Sequence, residues 1–393
     1  MRSSTPPTVD FRESGEGAAR AAAWIMTAVL LWTMSSAVEA QLAPEWQVPV
    51  ANMDAGEAAP AERVVQQDLL LAGNYLVGKG VEKDPAQAAY WFRKAADLGD
   101  PGAQNELGYL YTWGMGVGRD EAQAFRWFAR AAGSGYPPAK LNLAVMYLKG
   151  VGVAQDAEMG RQLLTELAGK GNGRAENYLG IMYFIGYGVT EDRAAAEEWF
   201  RKAAQAKNPE GEYQMGALYF DTEGHERDYG KAAEYLRRSA RAGYVPAMHA
   251  LGVLLESHAE VKQKRENEGE FWLERSAAAG TWQSSAMLGR LARAGRGMPQ
   301  DMGAAFRWFT IAAKQGGPEA ALGVAANLDA CGKALTAEQQ GEEVEAAESW
   351  LQDHQHRDLF AFGDAHSEFA MGEVYAPWDG QTVTVSANGS AGR

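Results

Sequence analysis

The chain has 393 residues, a formal charge of −14, 46% hydrophobic residues and one cysteine, Cys331. That acidity argues against a nucleic-acid partner, whose phosphates need a basic stripe to displace their counterions. A single cysteine excludes an intramolecular disulfide framework and any cysteine-based zinc site.

Residues Met1 to Arg20 are polar, and an apolar run follows from Ala21 to Met34. Small residues then end at Val38-Glu39-Ala40, before Gln41. This order predicts a secretory signal over residues 1–40, cleaved after Ala40, and so a periplasmic or secreted bacterial protein. The run is 14 residues long, short of the ~20 that a membrane span needs. An uncleaved inner-membrane anchor is the alternative, because Asp10, Glu13 and Glu16 balance Arg2, Arg12 and Arg20. Such an anchor is the only membrane contact the sequence implies. Residues 41–61 are rich in Pro and Ala without period and read as a linker.

From Glu62 a period of 36 residues takes over: Tyr75, Tyr111, Tyr147, Tyr183 and Tyr219 each lie one step from the next. The same step links Asp84, Asp120, Asp156, Asp192 and Asp228, and the pairs Gly78/Gly80, Gly114/Gly116, Gly150/Gly152 and Gly186/Gly188. A fixed period of this length marks a stacked repeat whose unit buries its apolar face only against a neighbour. Each unit reads as two helices. In the copy from Pro101, Ala103, Leu107, Gly108 and Tyr111 share one side of the first helix. Gly114 and Gly116 end it, and Asp120 suits the N-cap of the second. Ala124, Trp127, Phe128, Ala131 and Ala132 form the second helix's buried stripe, in which both Trp and Phe are expected to be core.

Later copies vary this grammar. The unit from Val245 carries a polar segment, Glu256 to Glu270, where its turn should be, which reads as a solvated turn or a partner-docking loop. The unit from Pro318 to about Gln352 is degenerate, with an acidic second helix, and reads as a cap. Residues 353–393 carry no helical period and are expected to be largely disordered.

The pattern Leu-Gly-x-x-Tyr-x-x-Gly-x-Gly-Val-x-x-Asp, then Ala-x-x-Trp-Phe-x-x-Ala-Ala-x-x-Gly, best seen from Leu107 to Gly135, resembles the Sel-one-like repeat, a relative of the tetratricopeptide repeat. The resemblance covers residues 62–352. It implies an all-α fold, a right-handed α-solenoid of about eight two-helix repeats, and a non-catalytic adaptor for another protein or peptide, with no cofactor. The first helices are expected to line the concave face. Relative to the Gly108 position, a stripe opposite the core reads Asn105, Tyr109 and Thr112, then Leu141, Val145 and Leu148. It continues as Asn177, Ile181 and Phe184, then Tyr213, Ala217 and Phe220. Exposed, these would form an apolar peptide groove whose amides pair with a peptide backbone. Alternatively they pack on neighbouring first helices.

Other chemistry is weaker. His354, His356 and His366 lack a cysteine or ordered carboxylate to complete a metal site. His225, His249 and His258 show no legible nucleophile, so no catalytic residue is assigned. Cys331 takes a glycine position and reads as a packing residue. Two further readings stand beside the adaptor. One is a cell-wall or β-lactam-directed hydrolase, as described for cysteine-rich members of the resembled family, though these depend on a disulfide in every repeat. The other is a plain spacer.

Overall fold

The computed structural model describes residues 60–220, 227–258, 261 and 267–355. Among the described residues there are sixteen α-helices and no strand. Fourteen of them form seven hairpins in chain order. These are α1 (Pro60–Val77) with α2 (Pro85–Asp97), α3 (Pro101–Trp113) with α4 (Glu121–Gly133), and α5 (Pro137–Lys149) with α6 (Ala157–Ala168). Next come α7 (Gly173–Ile185) with α8 (Arg193–Gln205), α9 (Pro209–Phe220) with α10 (Tyr229–Arg241), and α11 (Val245–Ser257) with α12 (Glu268–Ala278). The seventh pairs α13 (Trp282–Ala294) with α14 (Met302–Gln315), and α15 (Gly317–Gly332) and α16 (Ala337–Gln355) complete the array. Every second helix also packs on the next unit's first helix, giving an all-α solenoid. First helices meet their counterparts at α7–α9, α11–α13 and α13–α15, whereas among second helices only α14 and α16 pack together closely. The stack therefore bends with its first helices on the inside.

The period has a physical basis at the turn. Gly114 ends α3 with φ 69° and donates its N–H to the Leu110 carbonyl. Two residues on, Gly116 has φ 68°, and a Cβ there would overlap the Pro85 carbonyl at the start of α2 in the preceding unit. This glycine is required twice, by its backbone conformation and by the close approach of its neighbour. The chain then returns, and the Asp120 N–H donates to the Tyr111 carbonyl at 2.9 Å. The Asp120 carboxylate in turn accepts from the Gln123 N–H at 2.9 Å, capping α4. The same main-chain clasp joins Asp84 to Tyr75, Asp156 to Tyr147, Asp192 to Tyr183 and Asp228 to Tyr219. Tyrosine and aspartate thus share one period because they close one hairpin.

Within each hairpin a ring fills a hole. Phe128 comes within 2.7 Å of where a Cβ on Gly108 would stand, and Phe200 within 2.5 Å at Gly180. Phe92, Phe128, Phe200 and Phe309 are among the most deeply buried side chains. Burying such a ring contributes ~1.5–3 kcal/mol. The adjacent tryptophans divide: Trp127 is buried in the core as expected, whereas Trp91 and Trp199 are only half-buried. A cation one turn on covers each of them, Lys94 over Trp91 at 4.2 Å and Lys202 over Trp199 at 4.2 Å. Arg130 does the same over Trp127 at 4.6 Å. Phenylalanine faces inward, and the tryptophan beside it, rotated by one residue, lies at the edge of the core under a cation.

The divergent segment Glu256–Glu270 lies mostly in helices where it is described, since its start ends α11 and its last residues open α12. Lys262, Lys264 and Arg265 lie outside the described residues. Arg237 of α10 anchors this region. Its guanidinium donates to both Glu268 oxygens, at 2.7 and 2.9 Å, and to the Val261 carbonyl at 3.0 Å. Both side chains are buried. The terminal unit corrects the expectation of a degenerate hairpin, because α16 leaves α15 and packs along α14. Trp350 meets Trp308 at 5.3 Å, and Ala347 and Leu351 cover Ile311. Glu343 pairs with Arg307 at 2.7 Å and Glu348 with Lys314 at 2.5 Å, so part of the acidic stripe of α16 faces the cations of α14. The leader, most of the linker and residues 356–393 lie outside the described residues.

Two stability tests follow from these contacts. Gly116→Ala should cost about 1–3 kcal/mol or more in urea unfolding. Gly118→Ala, where a Cβ meets nothing within 4 Å, should be close to neutral. Arg237→Ala strands a buried carboxylate and should cost about 3–5 kcal/mol, and Arg237→Met together with Glu268→Leu should recover much of it. A single-substitution loss no larger than that of an exposed pair would refute this role for the contact.

Candidate functional site

Curvature decides which side chains share a space. On α7, Arg174, Asn177, Tyr178 and Ile181 follow at steps of three, one and three and occupy one side of the helix. Tyr178 feels the charges of Arg174 and of Glu210 on α9. Tyr244, the N-cap residue of α11, feels Glu210, Tyr213 and Tyr178. The rings of Tyr213 and Tyr244 meet edge to face at 5.4 Å. Three consecutive units therefore contribute two opposite charges and three phenols to one concave cluster. Burial pushes Tyr178 up to about 12 and raises Tyr213 and Tyr244 as well. All three phenols keep their protons at neutral pH.

Two polar groups flank this cluster. Toward the N-terminus, the Tyr109 hydroxyl donates to Asn142 Oδ1 at 3.2 Å, and Asn142 Nδ2 to Asn105 Oδ1 at 2.9 Å. Asn105 Nδ2 donates to Glu106 Oε1 at 3.2 Å. Burial drives Glu106 up to about 8, against the opposing effect of that hydrogen bond. Toward the C-terminus, His249 Nδ1 lies 2.7 Å from Ser284 Oγ. Burial lowers His249 to about 4, with the Arg290 charge adding to the effect.

The expected groove residues are all on first helices, but the expectation of a wet apolar floor needs correction. Asn105, Tyr109, Leu141, Val145, Leu148, Asn177, Ile181, Tyr213 and Phe220 are buried, as are Thr112 and Ala217, and Phe184 is half-buried. The last position of the stripe lies a turn nearer the Gly-x-Gly turn, where the second helix begins, and so points into its own hairpin. Leu148 packs at Gly160 of α6, Phe184 lies 6.5 Å from Phe200 of α8, and Phe220 lies 5.6 Å from Tyr229 of α10. Ile181 joins Phe200 and Met215 in a core cluster. Sequence reasoning passed over Glu106, Asn142, Arg174, Tyr178, Glu210 and Tyr244. The available signal was the position two before the small residue, which lies one turn beyond the Arg174 position on the same helical side.

The remaining candidates are structural where they are described. His354 stacks on Trp350 at 4.1 Å and bonds its carbonyl at 2.7 Å, while His225, His356 and His366 lie outside the described residues. Cys331 is buried in a cluster with Phe309, and burial pushes its thiol up. Among the described residues no three His, Cys, Asp or Glu side chains gather into a metal-ligating group. No described helix is long and apolar enough to cross a membrane.

Comparison with known proteins places this geometry in a family. The Sel1 repeat model matches residues 69–100, 101–136, 137–172, 173–208, 209–244, 245–281 and 282–317, more than half of the chain. The chain belongs to the Sel1 repeat family. Sel1 repeats generally mediate protein–protein interaction, and the family is typically a non-catalytic scaffold. The matched repeats stop at residue 317, where α15 begins. Among solved structures, the chain is similar to a Sel1 repeat protein from Oxalobacter formigenes, with 28% identity over 64% of this chain and 99% of that one and a TM-score of 0.55. It is also similar to a protective antigen present in uropathogenic Escherichia coli strains that displays an SLR fold, with 26% identity over 79% of this chain and 75% of that one and a TM-score of 0.43. An immunity protein from Pseudomonas aeruginosa matches at 20% identity over 56% of this chain and 82% of its own, with a TM-score of 0.41. No curated protein matches the chain.

The polar ladder makes stability depend on pH. A folded Glu106 raised from 4.5 to about 8 holds a proton that the unfolded chain has released, so its contribution is present at low pH and is lost as pH rises toward 8. His249 acts oppositely, but only below the 6.5 of an ordinary histidine. Between those limits the thermal midpoint should fall with rising pH, and Glu106→Gln should flatten that slope. An unchanged slope in the variant would show that Glu106 is ionised throughout.

Proposed function

We propose that this chain is a non-catalytic scaffold of the bacterial envelope that holds a peptide or domain of a partner protein on the concave face of its first helices. The observation that carries the reading is the part-exposed cluster of Arg174, Tyr178, Glu210 and Tyr244, drawn from three units and backed by the buried ring of Tyr213. Tyrosines offer large, stiff contact area with a polar tip, and arginine adds directional donors, the chemistry of interface hot spots. The family's general role in protein–protein interaction supports it. The envelope assignment follows the leader expected over residues 1–40. As for catalysis, Ser284 beside His249 is 0% exposed, so that pair favours packing of α11 on α13 over attack on a substrate.

A photo-crosslinking residue at position 178 in living cells tests this reading, with position 198 on the exposed outer side of α8 as control. One dominant protein product from 178 and none from 198 is expected. Equal yields from both positions, or none from either, would overturn it.

A further inference from the structure

The described array ends on an open apolar side. Consecutive first helices touch through fixed positions: Asn105, three residues before Gly108 of α3, bonds Asn142, two residues before the matching Ala144 of α5. On α15 the matching small residue is Ala325, so Leu322 stands where Asn105 does, and it is 82% exposed. Ala325 and Ala326 beside it are exposed as well. In regular units the small position is sealed by a ring of the same hairpin, Phe128 at Gly108 and Phe200 at Gly180. Because α16 packs along α14, no second helix closes over α15 in that way.

The sequence after α16 supplies what is missing. Gly363-Asp364 is followed by Ser367, Met371, Gly372, Tyr375 and Gly380 at the spacing at which Gly99-Asp100 is followed by Ala103, Leu107, Gly108, Tyr111 and Gly116. Serine already fills the Ala103 position once, as the fully buried Ser284 of α13. Gly363 follows Gly316 by 47 residues, so the 36-residue step passes over this copy. The chain also emerges at the right end of the stack. Glu343 faces Arg307, Ala347 clusters with Ile311, and Glu348 faces Lys314, so α16 runs parallel to α14 and finishes at the end where α15 begins. Seven residues, 356–362, then lead to Gly363. Extended, seven residues reach about 23–25 Å, enough to cross two helix spacings of ~8–10 Å each.

We propose that residues 365–375 dock in cis on the open side of α15 as a ninth first helix, with Asp364 in the N-cap place of Asp100 and Ala370 opposite Leu322. The occupant is this chain's own tail because its register is that of the element the array lacks at this point. Docked in this way, the segment continues the unit-to-unit interface already made by the eight preceding first helices and carries the concave face one helix further.

The test follows amide hydrogen exchange by mass spectrometry in the purified full chain. Amides of residues 366–375 should exchange at least tenfold more slowly than those of residues 383–393. Leu322→Glu, at a side chain that is already exposed, should remove this protection while α3 to α14 keep theirs. Met371→Asp, on the other side of the contact, should do the same. For the register, a chain carrying Cys331→Ala, Leu322→Cys and Ala370→Cys is treated with a short bis-maleimide, and a cross-link within one chain is expected. Absence of protection in the wild type, or protection that survives either Leu322→Glu or Met371→Asp, would overturn the proposal. Cross-links formed only between chains would overturn it in favour of a second copy seated on α15.

Discussion

The array depends on how closely a turn can sit on the preceding unit. The second glycine of three Gly-x-Gly pairs lets the main chain come against the start of the previous second helix, Gly116 at Pro85, Gly152 at Glu121 and Gly188 at Ala157. Any Cβ would push the units apart at their turn end. Because a solenoid is held only by contacts between neighbours, a small displacement there propagates along the stack. The same close approach sets the bend that puts first helices inside. Without it, Tyr178, Tyr213 and Tyr244, spread over three units, would not share one cluster.

Much of this was legible in the residues. The Tyr and Asp positions, their common step and the glycines between them specify a hairpin closed by one main-chain bond, and each is visible at a fixed offset. The Gly108 and Phe128 positions specify a ring in a hole. What periodicity could not supply was the direction of a side chain at the edge of a stripe. Trp199 and Phe200 are adjacent in sequence, yet one is capped by Lys202 and the other is sealed in the core. Phe184 and Asn177 lie seven residues apart on one helix. Phe184 turns into its hairpin against Phe200, whereas Asn177 is buried with its Oδ1 unpartnered. Which of these a wheel position becomes is decided by the superhelical bend, a property of the assembled stack.

The departures from the repeat have a common character. Where the Gly-x-Gly turn is missing, after α11, a buried Arg237–Glu268 pair takes over the connection between units. Where the repeats end, α16 replaces a next unit with a strap along α14, held by Trp350, Leu351 and two ion pairs. Both devices substitute a long side-chain contact for a close backbone contact. Leu322, 82% exposed on α15, stands at the position of Asn105 and Asn177, and among the described residues no further first helix follows α15 to cover it.

The concave face shows why an apolar reading of the first helices was incomplete. Most of their side chains are indeed buried, but burial in a curved stack comes from neighbouring helices crowding in, and it applies to polar residues as well. Crowding raises Glu106 and Tyr178 and lowers His249, all in the direction that favours the neutral form. A face tuned in this way carries neutral donors and acceptors in a low-polarity setting, where each hydrogen bond made or missed weighs more than it would in water. Such a surface discriminates by hydrogen-bond geometry more than by net charge. That fits a chain whose overall acidity would otherwise steer it only toward basic partners.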